Sequence, residues 1–223
     1  MSSLVVRNLS DQLVGLVRDR ILSGEVIADL PIRQDALAAE LGVSKIPLRE
    51  ALTRLEQEGL IRSQANRGFF VRPLSTQEAE EVYALRLKLE PEAVSVAAER
   101  ATEEEQATAR HALEALDRVT DAHGESVGAF NRAFHLALVR PAGQPITFTI
   151  IERLHILSER YVRKHLEPSG RDERAIDEHR QMLEGWLARE GKAVAALTRN
   201  HIEQTLKDLR RQLSAERKEQ KPE

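Results

Sequence analysis

Apolar positions recur at helical spacing through most of the chain. Leu13, Leu16, Val17 and Ile21 line one face of a predicted first helix from about Asp11 to Leu22, with Ser10 as N-cap and Gly24 as stop. A short second helix is predicted over Gln34 to Leu41, with Leu37 and Leu41 inward. Gly42-Val43-Ser44 is a tight turn, and a third helix follows Ser44 and ends before Gly59. Its buried stripe is Leu48, Ala51, Leu52 and Leu55, and Pro47 sits in the first turn, where a missing N–H costs nothing. Then the period changes. Leu60–Ser63 and Phe69–Arg72 read as two short strands around an Asn66-Arg67-Gly68 turn.

Two short helices joined by a tight glycine turn, followed directly by a hairpin, predict a winged helix-turn-helix over residues 1–73. Lys45, Arg49 and Thr53 fall on one face of the third helix, away from its leucines. Basic and hydrogen-bonding groups there suit the DNA major groove, and Arg67 at the hairpin tip suits a phosphate or a minor groove.

After a linker at 74–77 the pattern is helical over 78–217. Ser75 with Glu78 and Thr102 with Glu105 are capping boxes that open helices at about 76 and 103. The first of these runs to Arg100, with a kink or break expected at Pro91. The second runs to about Asp121 and ends at Gly124. Further helices are expected at about 126–140, 145–166, 172–190 and 192–216, separated by Pro141-Ala142-Gly143, Pro168-Ser169-Gly170 and Gly191. Residues 218–223 read as a frayed tail. The expected fold class is mainly α: the winged domain plus an antiparallel bundle of six helices, an architecture that holds ligands or metals between facing helices.

Composition narrows the chemistry. Cysteine is absent, so disulfides and thiolate metal sites are excluded. Residues 1–12 have no apolar signal-like core and no stretch is long enough to span a membrane, so the expected location is the cytoplasm. The formal net charge is −3. Residues 1–75 carry ten Lys/Arg against nine Asp/Glu, so charge alone does not mark a DNA-binding end.

Of seven histidines, three fall on separate predicted helices: His135, His179 and His201. Asn131 is one turn before His135 and shares its face. Three neutral imidazoles with open positions suit Zn²⁺ or a similar divalent ion. His111, His123, His155 and His165 read as surface or structural residues. A metallo-hydrolase is a rival reading, since such a centre could activate water. Against it, Glu178, the nearest acid, is expected to point to another side of its helix than His179.

The N-terminal residues carry a resemblance. Ser23-Gly24, the run Leu37-Ala38-Ala39-Glu40-Leu41-Gly42-Val43-Ser44-Lys45-Ile46-Pro47-Leu48-Arg49-Glu50-Ala51-Leu52, then Leu55-Glu56-Gln57-Glu58-Gly59-Leu60-Ile61, and Asn66-Arg67-Gly68-Phe69-Phe70-Val71 resemble the GntR family of transcription regulators over residues 10–73. The resemblance implies a homodimer on double-stranded operator DNA, with contacts from Arg33, Gln34, Ser44, Lys45, Pro47, Arg49, Asn66, Arg67 and Gly68. The family often has Arg where Lys45 stands, and some members carry an Arg near Asp35.

Asn131-Arg132-Ala133-Phe134-His135, Glu178-His179 and Asn200-His201 are similar to the metal-binding pattern of the FCD effector domain, in its VanR-like form. This implies a divalent metal (Zn²⁺, alternatively Ni²⁺ or Mn²⁺) on Asn131, His135, His179 and His201, and a carboxylic-acid effector. Arg86 resembles the effector-binding arginine, and Arg153 is a second candidate. The family usually has Asp where Asn131 stands, and a neutral amide is a weaker donor to a cation. A metal-free pocket for a larger ligand such as an acyl thioester is the alternative. On either reading the chain is expected to be a regulator, most simply a repressor, and not an enzyme.

Overall fold

The structure, a computed structural model, describes residues 2–26, 28–121, 127–166 and 171–219. Two compact units divide it, Met1–Pro73 and Leu74–Glu223.

In the first unit, α1 (Ser2–Leu22) packs on α3 (Lys45–Gln57), with α2 (Gln34–Glu40) beside it. Leu48, Ala51, Leu52 and Leu55 are fully buried, as their spacing predicts, against Leu13, Val14 and Val17. Leu16, assigned to the apolar face of α1, is instead 44% exposed, and Val14 takes its place in the core. Ser10 is no N-cap. It lies inside α1, which starts eight residues earlier, and its hydroxyl donates to Glu50 Oε2 at 3.0 Å. Arg18 makes a bidentate pair with Glu58, at 3.0 and 2.5 Å, so polar groups as well as apolar ones clamp α1 to α3.

The α2–α3 turn needs Gly42 in the left-handed region, at φ 64°, where a Cβ is strained. Ser44 has the extended backbone of an N-cap, but its side chain makes no capping bond. After α3, β1 (Ile61–Gln64) and β2 (Gly68–Val71) pair antiparallel, Ile61 opposite Val71 and Gln64 opposite Gly68. Asn66 (φ 60°) and Gly68 (φ 88°) supply the positive φ that closes the hairpin.

The second unit holds α4 (Thr76–Arg100), α5 (Glu103–Asp121), α6 (Val127–Val139), α7 (Pro145–Leu166), α8 (Arg171–Leu187) and α9 (Gly191–Glu219). A 3₁₀ turn, Arg140–Ala142, joins α6 to α7 and ends on Gly143 at φ 68°. Among the described residues this unit contains no strand. The breaks expected at Gly124 and Pro168-Ser169-Gly170, and tail residues 220–223, lie outside the described residues.

Thr102 and Glu105 form both halves of a capping box. At Ser75 only one half forms. Its hydroxyl accepts from the Glu78 N–H, while the Ser75 N–H donates to Tyr161 Oη of α7 at 3.1 Å. Pro91 does not break α4. Proline leaves the carbonyl four residues back without its helical donor; here that carbonyl, of Leu87, accepts from Arg199 of α9 at 3.5 Å.

Buried Ala93, Val94, Ala97 and Ala98 give α4 a small-residue face, and α9 lies along α4. Gly191 was expected to be a helix stop. Instead it begins α9, and a Cβ there would stand 2.7 Å from Ser95 Oγ and 3.0 Å from the Ser95 carbonyl. Its role is close approach. The reversal after α8 is made by Arg189 at φ 60°, whose guanidinium donates to the Glu99 and Ala101 carbonyls at the end of α4.

Candidate functional site

In the first unit the expected operator residues fall in three places: the start of α2, the first turns of α3, where Ser44 is exposed and Pro47 half-buried, and the hairpin. Arg33, Gln34, Asp35 and Lys45 line one hollow, where Lys45 Nζ lies 2.5 Å from Asp35 Oδ1. The lysine expected to contact DNA is thus already paired with an acid, though both side chains are exposed and such a pair is weak. Arg49 lines a second hollow with Ser10, Asp11, Ile46, Glu50, Thr53 and Arg54. Thr53 Oγ1 donates back to the Arg49 carbonyl at 2.9 Å. Ile46, in the first turn of α3, is 73% exposed. The signal for it in the sequence is an apolar residue on the polar face of α3. Arg67 is exposed at the hairpin tip, with its guanidinium 5.8 Å from the centre of the Phe70 ring. A Cβ on Gly68 would sit 3.5 Å from Gln34 Nε2, so the wing and the start of α2 adjoin.

In the second unit α6, α8 and α9 bring His135, His179 and His201 together. Each is at least nine-tenths buried, and one ring nitrogen from each lies within 4.8 Å of the others. Ring centroids are 4.7 to 5.2 Å apart. His135 Nε2 is buried with no hydrogen-bond partner, which is costly unless something else meets it. Burial first, then the neighbouring His179 and His201, hold the His135 imidazole well below its ordinary pKa. It is therefore neutral, the form that ligates metals. Tetrahedral nitrogen ligands of Zn²⁺ stand about 3.4 Å apart, inside the 4.8 Å within which these three nitrogens lie. The residues fit a divalent ion.

A cavity of about 30 Å³, the scale of one or two waters, is lined by Asn131, His179, His201, Arg86, Tyr83 and Thr205 among others. Asn131 therefore faces the same space as two of the histidines. Arg153, the second effector candidate, is half-buried on α7 and does not line it.

Arg86 lines the cavity but is not a bare cation. Its Nε and Nη2 donate to Glu90 Oε1 and Oε2, at 2.5 and 3.2 Å, and Nη1 donates to Ser158 Oγ at 3.2 Å. Burial would push the Glu90 carboxyl up, yet the Arg86 guanidinium, with His155, holds it at about 2. Burial also pushes the Tyr83 hydroxyl up to about 12, and Arg86 lies 5.0 Å above its ring.

Sequence reasoning missed Glu90 and misplaced Glu178, while His155 takes the structural one of its two expected roles. Glu90 stands one turn after Arg86, so i, i+4 spacing was a usable signal. His155, read as surface or structural, is fully buried. It lies 3.2 Å from Glu90 and forms a second donor group with Glu90 and His135. Glu178 was expected to point away from the centre. Its Oε2 lies 2.7 Å from His201 Nδ1. Neighbours on a helix do diverge by about 100°, but α9 packs against α8 so that His201 lies between the two directions. His165 is in α7 and His123 lies outside the described residues.

A winged helix-turn-helix, and a separate helical unit enclosing a buried polar centre, define the class of effector-responsive DNA-binding regulators. Comparison with known proteins bears this out. Residues 9–71 match the bacterial regulatory proteins of the gntR family, and residues 81–204 match the FCD domain. The chain belongs to the GntR family of transcription regulators, in its FCD-containing branch, and these are regulators, not enzymes.

The Nta operon transcriptional regulator of Aminobacter aminovorans is 41% identical over 108 residues, which are 48% of this chain and 51% of that protein. The regulator BphR of Paraburkholderia xenovorans is 29% identical over 92% of this chain and 86% of its own length. The repressor GlaR of Escherichia coli is 28% identical over 83% of this chain and 89% of its own length. The solved structure of McbR from E. coli superposes with a TM-score of 0.79 at 24% identity, covering 92% of this chain and 98% of that one, which shows the shared fold. No helix among the described residues is long and apolar enough to cross a membrane.

Proposed function

We propose that this protein is an operator-binding repressor, acting as a homodimer, whose DNA affinity is set by a small carboxylate effector bound at a metal-anchored centre in the helical unit. The observation that carries this reading is the convergence of three buried imidazoles from three helices, with His135 Nε2 left unpartnered. His135, His179 and His201 would hold the ion, Zn²⁺ first and Ni²⁺ or Mn²⁺ as alternatives, with the Asn131 side chain as a neutral fourth donor. When bound, the ion supplies positive charge that attracts a carboxylate.

Arg86 lines the same space, but Glu90 already neutralises it, so an effector carboxylate would have to compete with Glu90 for the guanidinium. The small cavity favours a compact acid. An acyl thioester would have to open it widely. Repression is favoured because GlaR, similar over most of both chains, is a repressor. An effector changes operator affinity only if it binds two states of the protein unequally, and operator DNA must then change effector affinity by the same factor.

At the operator, Arg33, Gln34, Ser44, Lys45, Pro47 and Arg49 would meet the major groove. Exposed Ile46 is suited to a thymine methyl. Asn66, Arg67 and Gly68 would carry the wing to the backbone.

The test is metal analysis of the purified protein beside H135A, followed by thermal-shift screening of small carboxylates with and without chelator. A divalent ion present in the wild type and lost in H135A, with chelator-sensitive ligand shifts, is the expected result. Metal-free protein with chelator-insensitive shifts would reject the metal-anchored reading and favour the larger, metal-independent effector.

A further inference from the structure

Asn131 leaves the histidine centre without a carboxylate among its expected ligands, so a bound dication would keep its full charge in a buried place. Burying an uncompensated charge is expensive. Another carboxylate is within reach of the centre, one shell out. Glu178 Oε2 lies 2.7 Å from His201 Nδ1, and Glu178 is mostly buried, with its side chain 18% exposed. A carboxylate only accepts, so the proton in this contact belongs to Nδ1. A neutral His201 protonated there has its lone pair on Nε2, the nitrogen left for the centre.

We infer that Glu178 is the positioning carboxylate of this centre: it fixes His201 as the Nδ1–H tautomer and supplies, through the imidazole, the negative charge that Asn131 does not. The inference rests on the metal-site reading above.

Glu178 is itself held in place. Arg174, one turn earlier on α8, lies 3.5 Å from Glu178 Oε1 and also donates to Asp208 of α9 at 2.5 Å. The chain Asp208–Arg174–Glu178–His201 therefore crosses from α9 to α8 and back. It sets the Glu178 carboxylate against the ring, while Arg211 stands 4.0 Å from Asp208 at the far end. Asp208 also keeps Arg174 from cancelling the Glu178 charge outright. Carboxylates in this relation to a ligating histidine orient the ring and raise its basicity, and their loss costs about 10–100-fold in metal affinity.

The test uses the full chain and Zn²⁺ alone, titrated against a competing chromophoric chelator, in wild type, E178Q and E178A. Melting curves of the metal-free proteins confirm that each variant folds. Long-range ¹H–¹⁵N spectra of the metal-free proteins report which ring nitrogen of His201 carries the proton. The expected results are an Nδ1–H His201 in wild type, a weakening of Zn²⁺ binding by roughly tenfold or more in both variants, and loss of the Nδ1–H preference in E178A. In the N131D background, which restores a direct carboxylate, E178Q should cost less. Zn²⁺ affinity unchanged in folded E178Q and E178A, or an Nε2–H His201 in wild type, would overturn the inference. A wild type that binds no Zn²⁺ yet shows the Nδ1–H tautomer would instead reject the metal-site reading on which it rests.

Discussion

The Arg86–Glu90 pair shows how a single residue can set the terms of a site. Both side chains are at most 3% exposed, and the pair is doubly hydrogen-bonded. Removing one partner of such a pair strands the other charge, at a cost of about 3–5 kcal/mol. Glu90 has a folded pKa of about 2 against an ordinary 4.5. A depressed acid stabilises the fold fully above its unfolded value and loses that contribution as the pH falls through its folded value. We expect E90Q to melt well below wild type at neutral pH, and the gap to narrow as the pH falls from 4.5 towards 2. Melting curves of the two proteins across that range check it. A gap that does not depend on pH would mean that the ionised form of Glu90 is not what stabilises the structure.

At the scale of elements, α4 and α9 are joined through small residues, and Gly191 shows how tight the join is. A methyl at 191 would meet the Ser95 carbonyl, which is backbone and cannot swing aside. G191A should therefore destabilise the protein by about 1–3 kcal/mol, read as a lower urea midpoint with an unchanged slope. An unchanged midpoint would show that the helix start yields freely. On the proposed operator-binding face, Asp35 partners Lys45. D35A removes that partner and a negative charge from that face. Operator binding should tighten, and its dependence on salt should steepen. R67A should weaken binding to all sequences alike and lower the salt slope by about 1 if the wing meets a phosphate. Gel-shift titrations at several salt concentrations read both variants, and a sequence-selective loss in R67A would place the arginine on bases instead.

For the molecule as a whole, the division between sequence and tertiary structure follows range. The winged helix was legible because its information is local. Leu48, Ala51, Leu52 and Leu55 encode a buried helix face, and Gly42, Asn66 and Gly68 encode backbone turns that other residues adopt only under strain. Both strands fell within one residue of their expected limits. The three histidines were legible in part, since each sits on a strongly periodic helix and the order of residues matched a known pattern. Local pattern failed where a side chain's partner lies far along the chain. Ser10 looked like a cap and instead bonds Glu50, forty residues on. Gly191 looked like a stop, and its reason is Ser95. Glu178 looked misdirected until α9 placed His201 beside it. Sequence by itself determined which elements form and most of where they turn, because periodicity and backbone strain act over a few residues, and the order of its residues carried the resemblance to a family of regulators. Only the tertiary structure decided which charges meet in the buried centre, because removal from water makes each polar group depend on neighbours brought from other helices.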